Sequence, residues 1–360
     1  MKPLKLLFLS TPVGALGTGA CGGVELTLKN LSQELMRRGH LVQVIAPERS
    51  KLANIPLLPI SGNLQATAQN QARNAYIHMP ANPVLANMWN YAHQHQHNCD
   101  LILNFAYDWL PLYLTPFFTT PVTHFITMSS CSDAIDNIIQ TIAATYPQNL
   151  GFYTQTQADT FSLHIQPHCL GGAIDLSLYQ FCQQPDTYLT FLGRIAPEKG
   201  LEDAVLVAQT TNTPLKILGK MENKNYWQQI CQAYPNAPID YLGFLPTQAM
   251  QKVLRKSKAL LMPHRWIEAF GNVAIESIAC GVPVIAYSQG GPGEIIHHGK
   301  TGWLIEPGNV QAMCEAVAKI DQINRIDCRN QAEREYSLPA LGDRFLKWFN
   351  QVLSSRPPKK

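Results

Sequence analysis

Apolar residues recur along this chain in two alternating patterns, short continuous runs and longer stretches with a helical period. Short runs between turn residues are typical of buried strands, whereas a period near 3.6 is typical of helices that bury one face. One such helix is predicted at Val24–Arg38, before Gly39, and residues 50–75 are polar enough to predict a long surface excursion. The first half of the chain has predicted strands at Leu6–Ser10, Val42–Ala46, Leu101–Asn104 and Val122–Thr127.

The same alternation restarts after a boundary near residues 166–175. The predicted strands there are Tyr188–Gly193, Leu215–Leu218, Ile239–Gly243, Ala259–Met262, Val284–Tyr287 and Trp303–Ile305. The predicted helices are 200–210, 222–233, 246–256, 271–280, 309–320 and 338–354. Strands that alternate with helices form mainly parallel sheets covered on both faces. The pattern therefore predicts an α/β fold with two doubly wound, Rossmann-like domains.

Composition supports this picture and excludes several classes of protein. A chain of 360 residues with 46% hydrophobic and 15% charged residues suits two globular domains. The net charge is only +3, and Arg356–Lys360 is the one basic cluster, so nucleic-acid binding is not expected. Nine scattered cysteines without zinc-ligand spacing indicate thiols in a reducing compartment, and hence a cytoplasmic protein. No apolar stretch is long enough for a membrane span.

The amino-terminal segment allows two further interpretations. The run Leu6–Leu9 resembles the start of a signal peptide, but its shortness and the loop that follows favour a buried first strand. Gly17-Thr-Gly19-Ala-Cys-Gly22 spells a dinucleotide fingerprint, which would make the protein an NAD-dependent oxidoreductase. In that motif the first glycine ends the strand directly, whereas here residues 11–16 intervene. Gly22 and Gly23, at the start of the first helix, instead suit the close approach of a phosphate.

Two glutamates lie in the segment of the sequence that has the most candidate ligand-binding residues. Glu268 and Glu276 are separated by seven residues, with Phe270, Gly271 and Asn272 between them. Apolar neighbours place Glu276 on a mostly buried helix. A carboxylate is rarely buried without hydrogen-bond donors, and ligand hydroxyls would supply them. The N–H groups at the helix start would suit an anion.

Two cations and an aromatic segment complete the candidate chemistry. Arg194 and Lys199 lie on a loop at the carboxyl end of a predicted strand, where α/β sheets bind ligands. Arginine by its fork and lysine as a point charge would together hold a diphosphate. In the first domain Asn104, Tyr107 and Asp108 follow a strand, and the aromatic and carboxylate groups there would recognise an acceptor. Alternatively, Tyr107 and Trp109 would pack in the core and Asp108 would cap the following helix.

These motifs resemble those of family 4 retaining glycosyltransferases, enzymes of the GT-B fold. The resemblance lies in the two glutamates with Phe-Gly after the first and Ala-Cys-Gly-Val-Pro-Val-Ile after the second, in the Gly-Arg…Glu-Lys-Gly segment ending at Gly200, and in the Gly22-Gly23 loop. It implies an acceptor-side domain at 1–168, a nucleotide-sugar domain at 169–336 facing it across an interdomain cleft, and a helix at 337–360 that crosses back to the first domain.

The resemblance also implies roles for the residues. Glu276 would accept hydrogen bonds from ribose hydroxyls, and Glu268 would contact the sugar and stabilise positive charge on its opening ring. Arg194 and Lys199 would stabilise the departing diphosphate, assisted by backbone N–H groups of Phe270, Gly271 and Asn272. The implied donor is a UDP-sugar, most simply UDP-glucose. No Asp-x-Asp triplet of the metal-dependent type is found, so no metal or cofactor is expected.

The acceptor is less constrained by the sequence. The pattern of Ser10–Gly14, Asn104–Pro111 and Trp266–Glu276 is similar to that of bacterial transferases acting on tetrahydrobiopterin, which implies a small pterin acceptor. A lipid or a polysaccharide remains an alternative acceptor. A non-catalytic protein that binds a sugar nucleotide is an alternative function, and the sequence does not determine the oligomeric state. Many family members carry a histidine six residues after a proline resembling Pro121. Thr127 stands there instead and joins the predicted acceptor residues, because His124 comes three positions early.

Overall fold

The chain forms two compact units in the structure, a computed structural model that describes residues 2–18 and 22–355. The first unit comprises the chain up to Gly172 together with the segment from Leu338, and the second unit is Ala173–Ser337. Each unit is built on one parallel sheet. Gly19, Cys21 and the basic cluster at residues 356–360 lie outside the described residues.

The described residues of the first unit form a seven-stranded sheet in the order β3-β2-β1-β4-β5-β6-β7. Its strands are β1 Lys5–Leu9, β2 Leu41–Pro47, β3 Leu57–Ile60, β4 Leu101–Asn104, β5 Val122–Ile126, β6 Leu150–Phe152 and β7 His168–Cys169. Its α-helices are α1 Gly23–Arg37, α2 Val84–His95, α3 Trp109–Leu114, α4 Asp133–Thr145 and α5 Gln155–Asp159, and the carboxyl-terminal helix described below.

The second unit, which is described in full, has six strands in the order β10-β9-β8-β11-β12-β13. They are β8 Leu189–Leu192, β9 Leu215–Leu218, β10 Ile239–Gly243, β11 Leu260–Met262, β12 Val284–Tyr287 and β13 Gly302–Ile305. The helices are α6 Leu201–Thr211, α7 Lys224–Ala233, α8 Thr247–Leu254, α9 Asn272–Ala279, α10 Gly291–Ile295, α11 Val310–Ala318 and α12 Arg325–Glu335; α13, Leu338–Ser354, follows in the first unit.

Alternation along the central strand explains why helices cover both faces of the first sheet. Successive side chains of a strand point to opposite faces. Leu7 and Leu9 accordingly pack in a cluster with Trp89 of α2, while Phe8 meets the ring of Phe105 at 5.7 Å between centroids. The fold class predicted from the sequence is confirmed, with every strand pair in both sheets parallel.

Three kinds of element escaped the sequence analysis. The excursion predicted for residues 50–75 contains β3, an edge strand that pairs only with β2 and includes Pro59, which an edge strand tolerates. Strands β6 and β7 are too short to produce a pattern. Helix α12 was missed because its sequence, RIDCRNQAERE, has no apolar stripe.

Candidate functional site

The second unit brings Glu268, Lys199 and Trp266 into one cluster. The Lys199 ammonium forms an ion pair with Oε2 of Glu268, and the Trp266 indole N–H donates to the same oxygen at 3.0 Å. The ammonium also lies 4.8 Å from the centre of the indole ring. The Glu268 side chain is 18% exposed, so it is recessed but reachable by a ligand.

The charge on Glu268 is set by opposing influences. Burial raises the pKa of this carboxyl, but the Lys199 ammonium beside it, together with His264 and the indole N–H, holds the pKa below its ordinary value. Both ring nitrogens of His264 lie against carbonyl oxygens, Nδ1 at 3.0 Å from that of Met262 and Nε2 at 2.6 Å from that of Gln289. The cluster therefore keeps Glu268 ionised.

The backbone behind Glu268 is held by the loop that follows β12. The N–H of Gly291 donates to the Glu268 carbonyl at 2.7 Å. A Cβ atom at Gly291 would stand 2.2 Å from the Phe270 carbonyl oxygen, closer than any real Cβ contact. Only glycine permits this approach, so the Gly-rich segment after β12 serves to fix the position of the Glu268 loop.

Charged residues of α6 hold the other side of the same loop. Arg265 forms ion pairs at 2.9 Å with both Glu202 and Asp203. The buried hydroxyl of Tyr287, on β12, donates to the second oxygen of Asp203 at 2.7 Å. These contacts connect the loop after β11 to helix α6, and α6 to strand β12.

Helix α9 begins where the sequence predicted a free helix start. Gly271 adopts φ +97°, in the left-handed region that glycine favours, and among the described residues no side chain caps this end. Glu276 lies one turn further along, where the hydroxyl of Tyr179 donates to its Oε1 at 2.8 Å. Burial raises the pKa of Glu276 to about 7, and the Tyr179 hydrogen bond opposes that rise.

The loop after β8 carries both predicted cations, each paired with a carboxylate. Arg194 donates to Glu198 at 2.7 Å and to Glu222 at 2.5 Å, and its side chain is 36% exposed. Lys199, at the end of a short 3₁₀ turn over Pro197–Lys199, reaches Glu268 as described above. A diphosphate would therefore compete with protein carboxylates for both cations.

In the first unit the predicted glycines lie at the start of α1. Gly22 precedes the helix, which begins at Gly23, and the carboxylate of Glu25 accepts the N–H of Gly17 at 2.7 Å. Strand β1 ends at Leu9, so the connection to α1 is long, unlike the tight turn of a dinucleotide fingerprint. Part of that fingerprint, including Gly19, lies outside the described residues.

Asn104 and Thr127 are buried at the carboxyl edge of the first sheet. The Asn104 side chain exchanges hydrogen bonds of 2.9 and 3.0 Å with the backbone of Ala106, and the Thr127 hydroxyl donates to the Phe105 carbonyl at 3.4 Å. His124 is fully buried between Asn104 and Thr115, and burial lowers its pKa to about 3. It is a neutral core histidine.

Asp108 and Tyr107 have structural partners. Oδ1 of Asp108 accepts the N–H of Leu110 at 3.0 Å, which makes Asp108 the N-cap of α3, and its other oxygen accepts from Gln65 at 3.2 Å. Burial raises the pKa of Asp108. The Tyr107 hydroxyl donates to Asp136 at 3.4 Å. These contacts hold the segment in place, with Asp108 as a helix cap, and its role toward an acceptor stays a prediction.

Sequence reasoning missed Tyr179, Trp266 and the two carboxylates beside Arg194. Glu198 follows Arg194 by four residues, a spacing that could have suggested the pair. Tyr179 gave no signal, because it precedes its partner by 97 residues and sits in an irregular segment.

Three negative findings concern the described residues. Within residues 2–18 and 22–355, no group of three or more His, Cys, Asp or Glu side chains is placed to hold a metal ion. No helix in that part of the chain has the length and hydropathy of a membrane span. The eight cysteines found there are all free thiols.

Comparison with known proteins relates part of this chain to a known family. Residues 182–335 match the family of glycosyl transferases, group 1. A 2-deoxystreptamine N-acetyl-D-glucosaminyltransferase of Niallia circulans is 27% identical over 216 residues, which are 55% of this chain and 54% of that protein. A D-inositol 3-phosphate glycosyltransferase of Rhodococcus jostii is 36% identical over 140 residues, 34% of this chain and 29% of that protein. The chain thus spans about half or less of these curated relatives.

The fold resembles that of solved glycosyltransferases over nearly its whole length. The crystal structure of Anabaena HepE in complex with UDP has a TM-score of 0.74 at 17% identity, covering 97% of this chain and 100% of that one. The same protein was also solved with UDP-glucose. The chain has the GT-B fold.

Proposed function

We propose that this protein transfers a hexose from a UDP-sugar to a small acceptor, with retention of configuration. The observation that carries the proposal is the contact of Lys199 and Trp266 with the ionised Glu268, directly before the uncapped start of α9. This arrangement supplies a negative charge for an opening sugar ring and positive charge for a leaving diphosphate. Preorganised charges of this kind often contribute most to transition-state stabilisation.

Each charged group has a distinct role in the proposed reaction. The second oxygen of Glu276 accepts hydrogen bonds from the ribose hydroxyls. Glu268 contacts the sugar, and its carboxylate stabilises the oxocarbenium character of the ring as the bond to the diphosphate breaks. Arg194 and Lys199 exchange their carboxylate partners for the diphosphate oxygens, together with backbone N–H groups at the start of α9.

Two features of the donor side belong to this proposal. The UDP and UDP-glucose complexes of the structural neighbour support a UDP-sugar, and glucose is the hexose we propose. Arg194 and Lys199 supply the charge that a divalent cation supplies in other transferases, so the reaction is proposed to need no metal or cofactor. A reducing, cytoplasmic location follows only from the scattered cysteines and stays a prediction.

For the acceptor we propose tetrahydrobiopterin or a related pterin, from the sequence resemblance of the whole chain. The exposed aromatic rings of α3 and the turn after it, with Trp109 stacked on Tyr113 at 4.5 Å, suit a flat heterocycle. A lipid or polysaccharide acceptor is the alternative. The relatives matched above are named for unrelated acceptors, so their names favour neither.

A product screen tests the proposal. The protein is incubated with a panel of UDP-sugars against tetrahydrobiopterin and lipid or glucan acceptors, with and without excess EDTA, and products are identified by mass spectrometry. We expect a hexosyl-pterin from UDP-glucose, formed equally in EDTA, with an α-anomeric linkage by NMR. Product only after added manganese or magnesium would contradict the metal-free mechanism, and UDP binding without any product would indicate a binding protein.

Arg194→Ala provides the matched test of the site. Loss of one preorganised charge contact is expected to lower kcat/KM by roughly 100-fold or more. Arg334→Ala is the control, because Arg334 is an exposed arginine of the same unit, 62% accessible and paired with Glu335. Equal activity of the two variants would show that the Arg194 loop does not hold the leaving group.

A further inference from the structure

Tyr179 is a buried tyrosine that reaches the nucleotide side of the proposed site from a distant part of the chain. Its ring is 5% exposed, and its hydroxyl donates to Oε1 of Glu276 at 2.8 Å. No motif in the sequence singles it out, and the roles proposed above do not use it.

The backbone of Tyr179 is tied to the helix that carries Glu276. One nitrogen of the Arg329 guanidinium, Nη1, donates both to the Tyr179 carbonyl at 2.9 Å and to the Ala279 carbonyl at 2.8 Å. Glu333 holds the same guanidinium at 2.6 Å from Nε. Tyr179 therefore cannot move away from α9 without breaking these contacts, and the geometry of its hydroxyl is fixed.

Only one of the two oxygens of the Glu276 carboxylate accepts a hydrogen bond from the described residues of the protein. Among the described residues, Tyr179 donates the only hydrogen bond that this carboxylate receives, and it goes to Oε1. An ionised carboxylate has about four lone-pair sites on its two oxygens. Oε2 thus has its full acceptor capacity left for a ligand, and Glu276 is partly exposed.

We propose that Tyr179 is a positioning residue, which holds Oε1 of Glu276 so that Oε2 accepts the ribose hydroxyls of the nucleotide. This inference rests on the proposed function, because it takes the ligand to be a UDP-sugar. It adds a specificity determinant for ribose that lies outside the motif around Glu268 and Glu276.

The hydrogen bond also affects the protonation of the carboxyl. Burial raises the pKa of Glu276 to about 7, and Tyr179 opposes this because its hydroxyl bonds the ionised form. Several ionisable groups of α12, which packs on α9, are engaged elsewhere: Arg325 bonds to backbone carbonyls, and Arg329 bonds to carbonyls and to Glu333. Arg334 pairs with Glu335, and burial raises the pKa of the Cys328 thiol to about 12. Cys280, at the end of α9, is likewise a thiol with its pKa raised to about 12, by burial and then by the charge of Glu276.

The test compares two ligands on two variants of the full chain. UDP and 2′,3′-dideoxy-UDP are titrated by calorimetry into the wild type, Tyr179→Phe and Tyr188→Phe at pH 6 and pH 8. Tyr188 is the matched control, because it is a buried tyrosine of the same unit whose hydroxyl donates at 2.7 Å to a backbone carbonyl, that of Val253.

We expect Tyr179→Phe to weaken UDP binding roughly tenfold or more, because the hydrogen bonds from the ribose hydroxyls to the charged Glu276 depend on its position. The dideoxy nucleotide lacks those hydroxyls, so its binding should change little. The loss should be larger at pH 6, because the pKa of Glu276 rises further without the hydroxyl. Tyr188→Phe should match the wild type for both ligands.

Each other outcome has a definite meaning. Equal weakening for the two nucleotides, or no weakening for either, overturns the positioning role while UDP binding by the wild type still supports the proposed function. Failure of the wild type to bind UDP overturns the proposed function itself. If Tyr179→Phe does not fold, 3-fluorotyrosine at position 179 gives the reverse test: a stronger donor should tighten UDP binding alone, and unchanged binding overturns the inference.

Discussion

Glu276 is a residue whose placement costs stability at neutral pH. Its pKa is raised by burial from 4.5 to about 7, so the folded protein binds a proton that the unfolded chain has released. The stability from this group is therefore present below pH 4.5 and is lost as the pH rises through 7. Such a cost is expected where a carboxylate is kept for a ligand.

Glu276→Gln should accordingly stabilise the protein above pH 7. Glutamine keeps an acceptor for Tyr179 and carries no charge, and the pKa shift corresponds to at most about 3 kcal/mol. Urea unfolding of both proteins at pH 5 and pH 8 measures the effect. The variant should gain more at pH 8 than at pH 5, and a gain that is equal at both pH values would show that ionisation of Glu276 is not its source.

The stability contributed by the Lys199–Glu268 pair depends on pH in the opposite direction. Burial raises the pKa of Glu268 and Lys199 more than reverses it, so the pair contributes stability above pH 4.5 that is lost as the pH falls through the lowered pKa. Lys199→Met leaves a recessed charge without its cation, and we expect a loss of about 1–3 kcal/mol at pH 7.

The exposed pair of Lys256 and Asp186 is the control for that change. Its atoms are 3.6 Å apart and both side chains are about half accessible, 44% and 52%. Lys256→Met should change the unfolding free energy by less than about 1 kcal/mol. Losses of equal size in the two methionine variants would mean that Lys199 contributes nothing beyond an ordinary surface charge.

At the scale of elements, Asp108 provides a test that separates a helix cap from an acceptor contact. Asparagine caps helices as well as aspartate does, whereas alanine does not. If the cap is its role, Asp108→Ala should lose about 1 kcal/mol while Asp108→Asn stays near the wild type. Denaturation curves give the first quantity, and acceptor titration of folded Asp108→Asn gives the second.

The acceptor interpretation makes a different prediction for the asparagine variant. A contact of the ionised carboxylate with the acceptor would raise its KM or lower kcat in Asp108→Asn, without weakening UDP binding. Normal acceptor kinetics in that variant would remove Asp108 from the proposed acceptor site and leave it as the cap of α3.

Gly291 tests the support of the Glu268 loop by α10. A methyl group there would collide with the Phe270 carbonyl at 2.2 Å, so Gly291→Ala should shift the loop, lower the unfolding free energy by about 1–3 kcal/mol and weaken UDP binding. Gly293, two residues later in α10, has its nearest such contact at 3.6 Å. Gly293→Ala should therefore be nearly neutral in unfolding, and equal losses in both variants would argue against a specific collision.

The elements that sequence alone predicted are those whose residues form an apolar run or a clear helical period. Strands such as Leu101–Asn104 and Val284–Tyr287 were placed to the residue. The edge strand β3 lies in a polar stretch and contains a proline, and α12 has no apolar stripe, so neither produced a recognisable pattern. The site divides in the same way: Glu268 and Glu276 share a local motif, whereas Tyr179 meets Glu276 only in the folded unit.

At the scale of the whole molecule, each unit has its own sheet and its own core. The carboxyl-terminal helix α13 belongs to the first unit, although it follows the second in sequence. Phe345, Trp348 and Phe349 on this helix are at most 1% exposed, and the Phe345 ring lies 5.3 Å from that of Phe125 on β5. The first unit is therefore incomplete until the last part of the chain is present.

A chain that ends after Ser337 should lose the first unit while the second still binds UDP. Removing a single buried aromatic side chain costs about 3–5 kcal/mol, so three exceed the stability of most domains. The second unit keeps all six strands together with Arg194, Lys199, Glu268 and Glu276. Calorimetry should show one melting transition lost and UDP binding retained within about tenfold.

A chain that ends after Ser355 is the control and should keep both transitions. Loss of UDP binding together with the first unit would mean that nucleotide recognition requires groups, such as Gly22 and Gly23, that lie in the amino-terminal half of the chain.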